Sequence, residues 1–204
     1  MRHDSGYKRI REEVDRLGRP SVEMLDREIE RQERNESYKK LSRDILLGLI
    51  AAVAVIIIIT NLWVAVLQVD GSSMNPILKM DEVVLALRTD SPAKNDVIAF
   101  YHNGKIYIKR VIAEGGDNVY IAEDGTVSVN GKTLDEPYVS EKSLGNCDIT
   151  FPFQVPSGKL FVLGDNRPTS IDSRSGEIGT ISKEEMIGKV VIRIWPIPHI
   201  GGVS

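Results

Sequence analysis

Three short stretches hold residues whose types and spacing suit acyl transfer. The first is Val69-Asp70-Gly71-Ser72-Ser73-Met74-Asn75-Pro76. A glycine ahead of two serines permits a tight backbone approach, and Pro76 fixes the direction of the chain. A serine on such a turn can present its hydroxyl while neighbouring N–H groups face the same point, as a nucleophile and its oxyanion hole require. A plain serine-rich turn has the same composition.

The second stretch is Lys105–Ala113, an extended segment with Lys109 and Arg110 side by side. Period two places Arg110 with Ile106, Ile108 and Ile112, and Lys109 with Tyr107 and Val111. Both faces are apolar enough to be covered. A buried arginine keeps its charge and needs an anion, whereas a buried lysine can become neutral and then serve as a general base. Alternatively, both cations lie near an edge and snorkel to water.

The third stretch is residues 164–176, where Asp165, Arg167, Ser170, Asp172, Ser173, Arg174 and Ser175 crowd one loop after an apolar strand. Ion pairs among Asp165, Asp172, Arg167 and Arg174 could rigidify it into a site wall. A calcium loop is the alternative, but the Asp spacing and the missing terminal Glu do not fit an EF-hand.

The elements that must position these residues follow from hydropathy. Residues 1–44 carry twelve Lys/Arg against eleven Asp/Glu and read as a solvated, helical arm. Ile45 to Leu67 is an uncharged run of 23 residues. As a helix it rises about 34 Å, enough to cross a hydrocarbon core of about 30 Å. The tetrad Ile56–Ile59 would favour a strand in water, but a lipid-spanning segment must satisfy its own backbone, so helix is expected. Lys39, Lys40 and Arg43 precede the run, and the first cation after it is Lys79. The positive-inside rule then puts residues 1–44 in the cytoplasm and 68–204 outside, in a single-pass protein of the cell membrane with the lipid bilayer as a partner.

From Glu82 onward, short apolar runs are separated by turn signals. Runs at 82–87, 96–101, 105–113, 118–122, 126–130, 159–163 and 189–196 read as strands, with Asn103-Gly104 and Asn130-Gly131 as hairpin turns. Residues 135–158 read as irregular, and Ser182 with Glu185 as a capping box on a single turn. The fold class expected is therefore a mainly β, antiparallel extracytoplasmic domain carried on one N-terminal transmembrane helix. The 204-residue chain has a formal net charge of −3, so nothing suggests a nucleic-acid partner. One cysteine, Cys147, excludes an internal disulfide framework, and His3, His102 and His199 are too scattered for a zinc site. No cofactor or metal is expected.

Taken together, the chain resembles the bacterial type I signal peptidases, membrane-bound serine proteases of peptidase family S26, in their compact Gram-positive-like form with one span. The resemblance covers about residues 39–198. It rests on the span, Gly-Ser-Ser-Met-Asn-Pro at 71–76, Tyr-Ile-Lys-Arg-Val at 107–111 and Gly-Asp-Asn-Arg-x-x-Ser-x-Asp-Ser-Arg at 164–174, in the family's order. It implies that Ser73 is the nucleophile, Lys109 the general base and Ser170 the serine that orients the lysine. It implies an Asp172–Arg174 ion pair, an Asp165–Arg110 pair and an oxyanion hole that includes the Ser73 N–H. Gly71 stands where some members add a serine hydroxyl, and Ile77 where a threonine is common. The implied substrates are signal peptides of secreted preproteins, cut after Ala-x-Ala-like sites and bound extended along a strand edge. The pocket walls would come from Leu67, Val69, Met74, Leu78, Val84, Tyr107 and Ile108.

Four readings compete with this one. A Ser-His-Asp hydrolase would draw its base from His102 or His199. A Ser-x-x-Lys pattern occurs at Ser5, Ser37 and Ser91 without its companion motifs. A membrane-tethered peptide-binding or assembly domain, or a peptidase dedicated to one cargo, would keep the same architecture.

Overall fold

The computed structural model describes residues 22–89 and 91–203, together with residues 8, 9, 11–13, 16 and 18. The chain divides into two compact units, Met1–Ile57 and Ile58–Ser204. The expected readings of the arm at residues 1–7, 10, 14, 15, 17 and 19–21 lie outside the described residues.

A single helix, α1, runs from Val22 to Trp63 over 42 residues. Its N-terminal half is charged, with spaced Glu–Arg pairs such as Glu23–Arg27. Its C-terminal half holds a window of mean hydropathy 2.3, long and apolar enough to cross a membrane by length and composition. The β-branched tetrad at 56–59 lies inside this helix, as expected of a membrane-spanning segment.

The apolar run does not stay helical to Leu67. Residues 64–67, expected to complete the spanning helix, belong instead to strand β1, Val64–Gln68. They pair antiparallel with β2, Val83–Leu87, from Val64 opposite Leu87 to Gln68 opposite Val83. Val64 and Val66 favour a strand once a partner edge is present. The Arg88 N–H donates to the Trp63 carbonyl (3.0 Å), closing the pair where the helix ends.

The larger sheet also contains β3 (Val97–His102), β4 (Lys105–Glu114), β9 (Lys159–Leu163), β10 (Ile181–Ser182), β11 (Met186–Trp195) and β12 (Gly201–Gly202). Its order is β1-β2-β11-β3-β4-β9-β10, with β12 on β11, and every pair is antiparallel. A smaller sheet of order β7-β6-β5-β8 is built from β5 (Asn118–Ile121), β6 (Val127–Val129), β7 (Lys132–Thr133) and β8 (Phe153–Gln154). The mainly antiparallel β reading is met, although β8 falls inside the segment expected to be irregular. Glu185 Oε2 accepts from the backbone N–H of Ser182 (2.8 Å), as the capping pattern predicts, and also from the Ser182 hydroxyl (2.8 Å).

Three apolar clusters cover the sheets. Met74, Leu78, Val84, Ala86, Val97 and Val190 form one under the turn that carries Ser73. Val119, Ile121, Val127, Phe161 and Leu163 join the smaller sheet to β4 and β9. Ile98, Phe100, Val111 and Val162 fill the third, with Tyr107 packed against it. This packing clamps β4 from both sides and buries Lys109 and Arg110 at 2% and 0% exposure.

Candidate active site

Ser73 sits on the turn after β1, and Lys109 lies in β4, which holds its backbone rigid by pairing Lys109 with Ile98 of β3. Across 36 residues of sequence, Lys109 Nζ stands 2.6 Å from Ser73 Oγ. Burial, the largest influence, pushes the Lys109 ammonium down from 10.5 to about 8. Arg174 pushes the same way, and the carboxylates of Asp172 and Asp165 oppose it. The amine is therefore within reach of neutrality near physiological pH, and its neutral form can accept the hydroxyl proton. His102 is engaged elsewhere, with Nδ1 2.7 Å from Glu185 Oε1 and Nε2 3.2 Å from the Glu177 carbonyl. His199 lies 3.9 Å from Glu82. Neither histidine is hydrogen-bonded to Ser73.

The loop at 164–174 forms the wall behind this pair. The Asn166 N–H donates to the Ser73 carbonyl (3.0 Å), and Asn166 Nδ2 donates to the Ser72 carbonyl (3.1 Å). Gly164 lies against the same carbonyl: a Cβ there would come within 2.6 Å of Ser73 O and 2.2 Å of Ser170 Oγ. Ser170 is buried beside Gly164, and its hydroxyl has no hydrogen-bond partner among the described residues. The hydrogen bond to Lys109 that the resemblance implies is thus not formed in this structure.

Both implied ion pairs are present. Arg110 Nε and Nη2 donate to the two Asp165 oxygens (2.9 and 2.8 Å). Arg174 Nε and Nη2 donate to the two Asp172 oxygens (2.9 Å each), and all four side chains are fully buried. Asp172 Oδ2 also accepts from the Gly164 N–H (3.0 Å). Arg167 departs from expectation: it pairs not within its loop but with Glu136, in the segment read as irregular. Charge alone marked Arg167 as needing an anion, and nothing local to Glu136 identified the partner. Asn166 and Gly164 were likewise not singled out, although both stand inside the quoted motif.

In front of the pair lies an open groove of about 540 Å³. Of the expected wall residues, Val69, Met74, Tyr107 and Ile108 line it. Leu78 and Val84 are instead fully buried in the core, with Leu67 packed against the same cluster. The groove also takes in Gln68, Asp70, Ile106 and Glu177. Ile106 was expected on a covered face but is 51% exposed. The reason is an edge: β9 pairs with β4 only from Arg110 onward, so among the described residues the 105–109 half of β4 has β3 as its sole strand partner. A groove of mixed polar and apolar lining beside an unpaired strand edge can accept an extended peptide, and an amine against a hydroxyl can perform acyl transfer.

Comparison with known proteins gives the family. The family model described as signal peptidase, peptidase S26, matches residues 42–195. Signal peptidase IB of Staphylococcus aureus (strain Mu50 / ATCC 700699) is 35% identical over 178 residues, covering 78% of this chain and 92% of that protein. Signal peptidase I U of Bacillus subtilis (strain 168) is 32% identical over 170 residues, covering 78% and 90%. A solved signal peptidase I from Enterococcus faecalis V583 is 33% identical, covers 48% of this chain and 96% of its own, and superposes with a TM-score of 0.40. The chain belongs to the signal peptidase family, peptidase S26. It is accordingly a peptidase, a hydrolase of the signal peptidase I type.

Proposed function

We propose that the protein is a membrane-bound serine endopeptidase that removes signal peptides from secreted preproteins with Ser73 as nucleophile and Lys109 as general base. The observation that carries this reading is the 2.6 Å approach of a 2%-exposed lysine amine to the Ser73 hydroxyl. Neutral Lys109 takes the Ser73 proton as Oγ attacks the scissile carbonyl. The Ser73 N–H is the assigned oxyanion donor. Lys109 then gives its proton to the leaving amine, and afterwards takes one from the water that hydrolyses the acyl-enzyme.

Asp165 and Asp172 hold Arg110 and Arg174 and so set the charge around Lys109, and Ser170 is the residue that orients the amine during turnover. The preprotein lies extended against the free edge of β4, with small side chains toward Val69, Met74, Tyr107 and Ile108. Helix α1 anchors the protein in the bilayer, with residues 1–44 cytoplasmic and 68–204 outside.

The test is cleavage of a preprotein with an Ala-x-Ala site by the detergent-solubilised chain, with the cut read by mass spectrometry. Cleavage after the second Ala is expected, and absence of cutting across several such preproteins would refute the proposal. The same assay predicts a pH profile. Only neutral Lys109 is active, so kcat/KM climbs about tenfold per pH unit below about 8 and levels above it. A rate that is flat from pH 6 to 8 contradicts the lysine base.

A further inference from the structure

The 135–158 segment carries none of the motifs, yet one part of it grips every arginine behind the site. Glu136, 8% exposed, accepts from Arg167 Nη1 (3.3 Å) and Nη2 (2.5 Å). The Tyr138 hydroxyl donates to Glu136 Oε1 (3.3 Å), and the Tyr138 ring lies 3.9 Å under the Arg110 guanidinium. The Ser143 and Leu144 carbonyls accept from Arg174 Nη1 (3.1 and 2.7 Å).

Of these contacts, the one from Glu136 leads most directly to the nucleophile. Arg167 Nε donates to the Gly164 carbonyl (3.0 Å), and the Arg167 carbonyl accepts from Arg174 Nη2 (2.9 Å). Gly164 abuts the Ser73 carbonyl and Ser170. A guanidinium held at one end by a carboxylate and at the other by a backbone carbonyl is a strut of fixed length. Its position bears on how Gly164 abuts the Ser73 turn, whose upstream half is held by Asn166 to the Ser72 and Ser73 carbonyls and Asn75 to Ser72 (3.1 Å), and whose downstream half is held by Leu78 to Met74 (2.9 Å) and Arg193 to Ile77 (3.1 Å).

We infer that Glu136 is a positioning residue for Ser73, acting through Arg167 and Gly164, and that the 136–144 segment is the brace that sets the Ser73–Lys109 distance. This rests on the proposed dyad for its kinetic consequence, but not for its structural one. Glu136 does not line the groove, so its loss should leave substrate binding alone and misplace the nucleophile.

Two variants test the brace, Glu136→Gln and the double Glu136→Met with Arg167→Met. The double removes both buried charges together, which spares the fold the burden of a lone ion. Each full-length variant is assayed in detergent well below its own melting temperature, with turnover normalised to the folded fraction. Both should lose at least tenfold in kcat with KM within twofold of wild type. Independently of activity, amide hydrogen exchange read by mass spectrometry should quicken at least tenfold in peptides spanning 71–78 and 164–174. Peptides from β3 and β11 should be unchanged. If the wild type cuts no preprotein, the proposed function fails while the exchange result still decides the brace. The brace is overturned if folded Glu136→Gln shows wild-type exchange in both peptides, or wild-type kcat where the wild type cuts.

Discussion

Lys109→Met should destroy activity and raise stability in the same molecule. Turnover should fall by three orders of magnitude or more, because a thioether can neither take the Ser73 proton nor return one to the leaving amine. Stability should move the other way. The buried ammonium titrates at about 8 rather than 10.5. Below pH 8 the lysine is protonated in folded and unfolded chains alike, and the folded protein bears the full cost of a charge taken from water. That shift corresponds to about 3 kcal/mol. Between pH 8 and 10.5 the folded state has lost its proton while the unfolded state retains it, so wild-type stability climbs with pH. Above 10.5 both are neutral and the lysine imposes no such cost. The gain from methionine should therefore be largest below pH 8 and fade by pH 10.5, read as melting temperatures of the two proteins in detergent across that range. A methionine variant that melts below wild type at pH 7 would show that the lysine stabilises the fold as a charged group, and the base assignment would lose its physical footing.

Gly164→Ala is the second large effect, produced by a single methyl group. That methyl would lie 2.2 Å from Ser170 Oγ and 2.6 Å from the Ser73 carbonyl, distances that no packed atom tolerates. Ser73 O already accepts from the Asn166 N–H, so the turn cannot retreat without breaking that bond. Overpacking of this kind costs about 1–3 kcal/mol, and a displacement of about 1 Å at a nucleophile costs roughly a hundredfold in rate. The expected result is a chain that still folds, melts a few degrees lower, and turns over about a hundredfold more slowly. Turnover near wild type would mean that the 164–174 loop is not what holds Ser73 in place.

The residues that the structure brings together were more legible in the sequence than their supports were. Lys109 and Arg110 side by side in an apolar strand left two outcomes open, snorkelling to water or burial with a partner, and the structure buries both, with Lys109 against Ser73 and Arg110 against Asp165. The charge density of 164–174 likewise announced ion pairs, though it could not say that Arg167 would reach out to Glu136. Local pattern carries no information about a partner thirty residues away in an irregular segment. The β strands were readable from alternation and turn residues. β1 was not, because Val64 to Leu67 continues the apolar character of the spanning run and only the β2 edge makes it a strand. The same limit explains the wall residues. Leu78 and Val84 have the right chemistry for a pocket, but they face the core, and the exposure of Ile106 depends on where β9 stops pairing with β4.

The most direct test of the account is the covalent one. Preprotein is mixed with the enzyme, the reaction is quenched in acid within the first turnover, and the digested protein is mapped by mass spectrometry. The predicted result is an acyl adduct of the signal peptide on the peptide containing Ser73, absent from Ser73→Ala, which should also fail to cut. An adduct on any other residue, or continued cleavage by Ser73→Ala, would contradict the assignment of Ser73 and Lys109 as the catalytic pair.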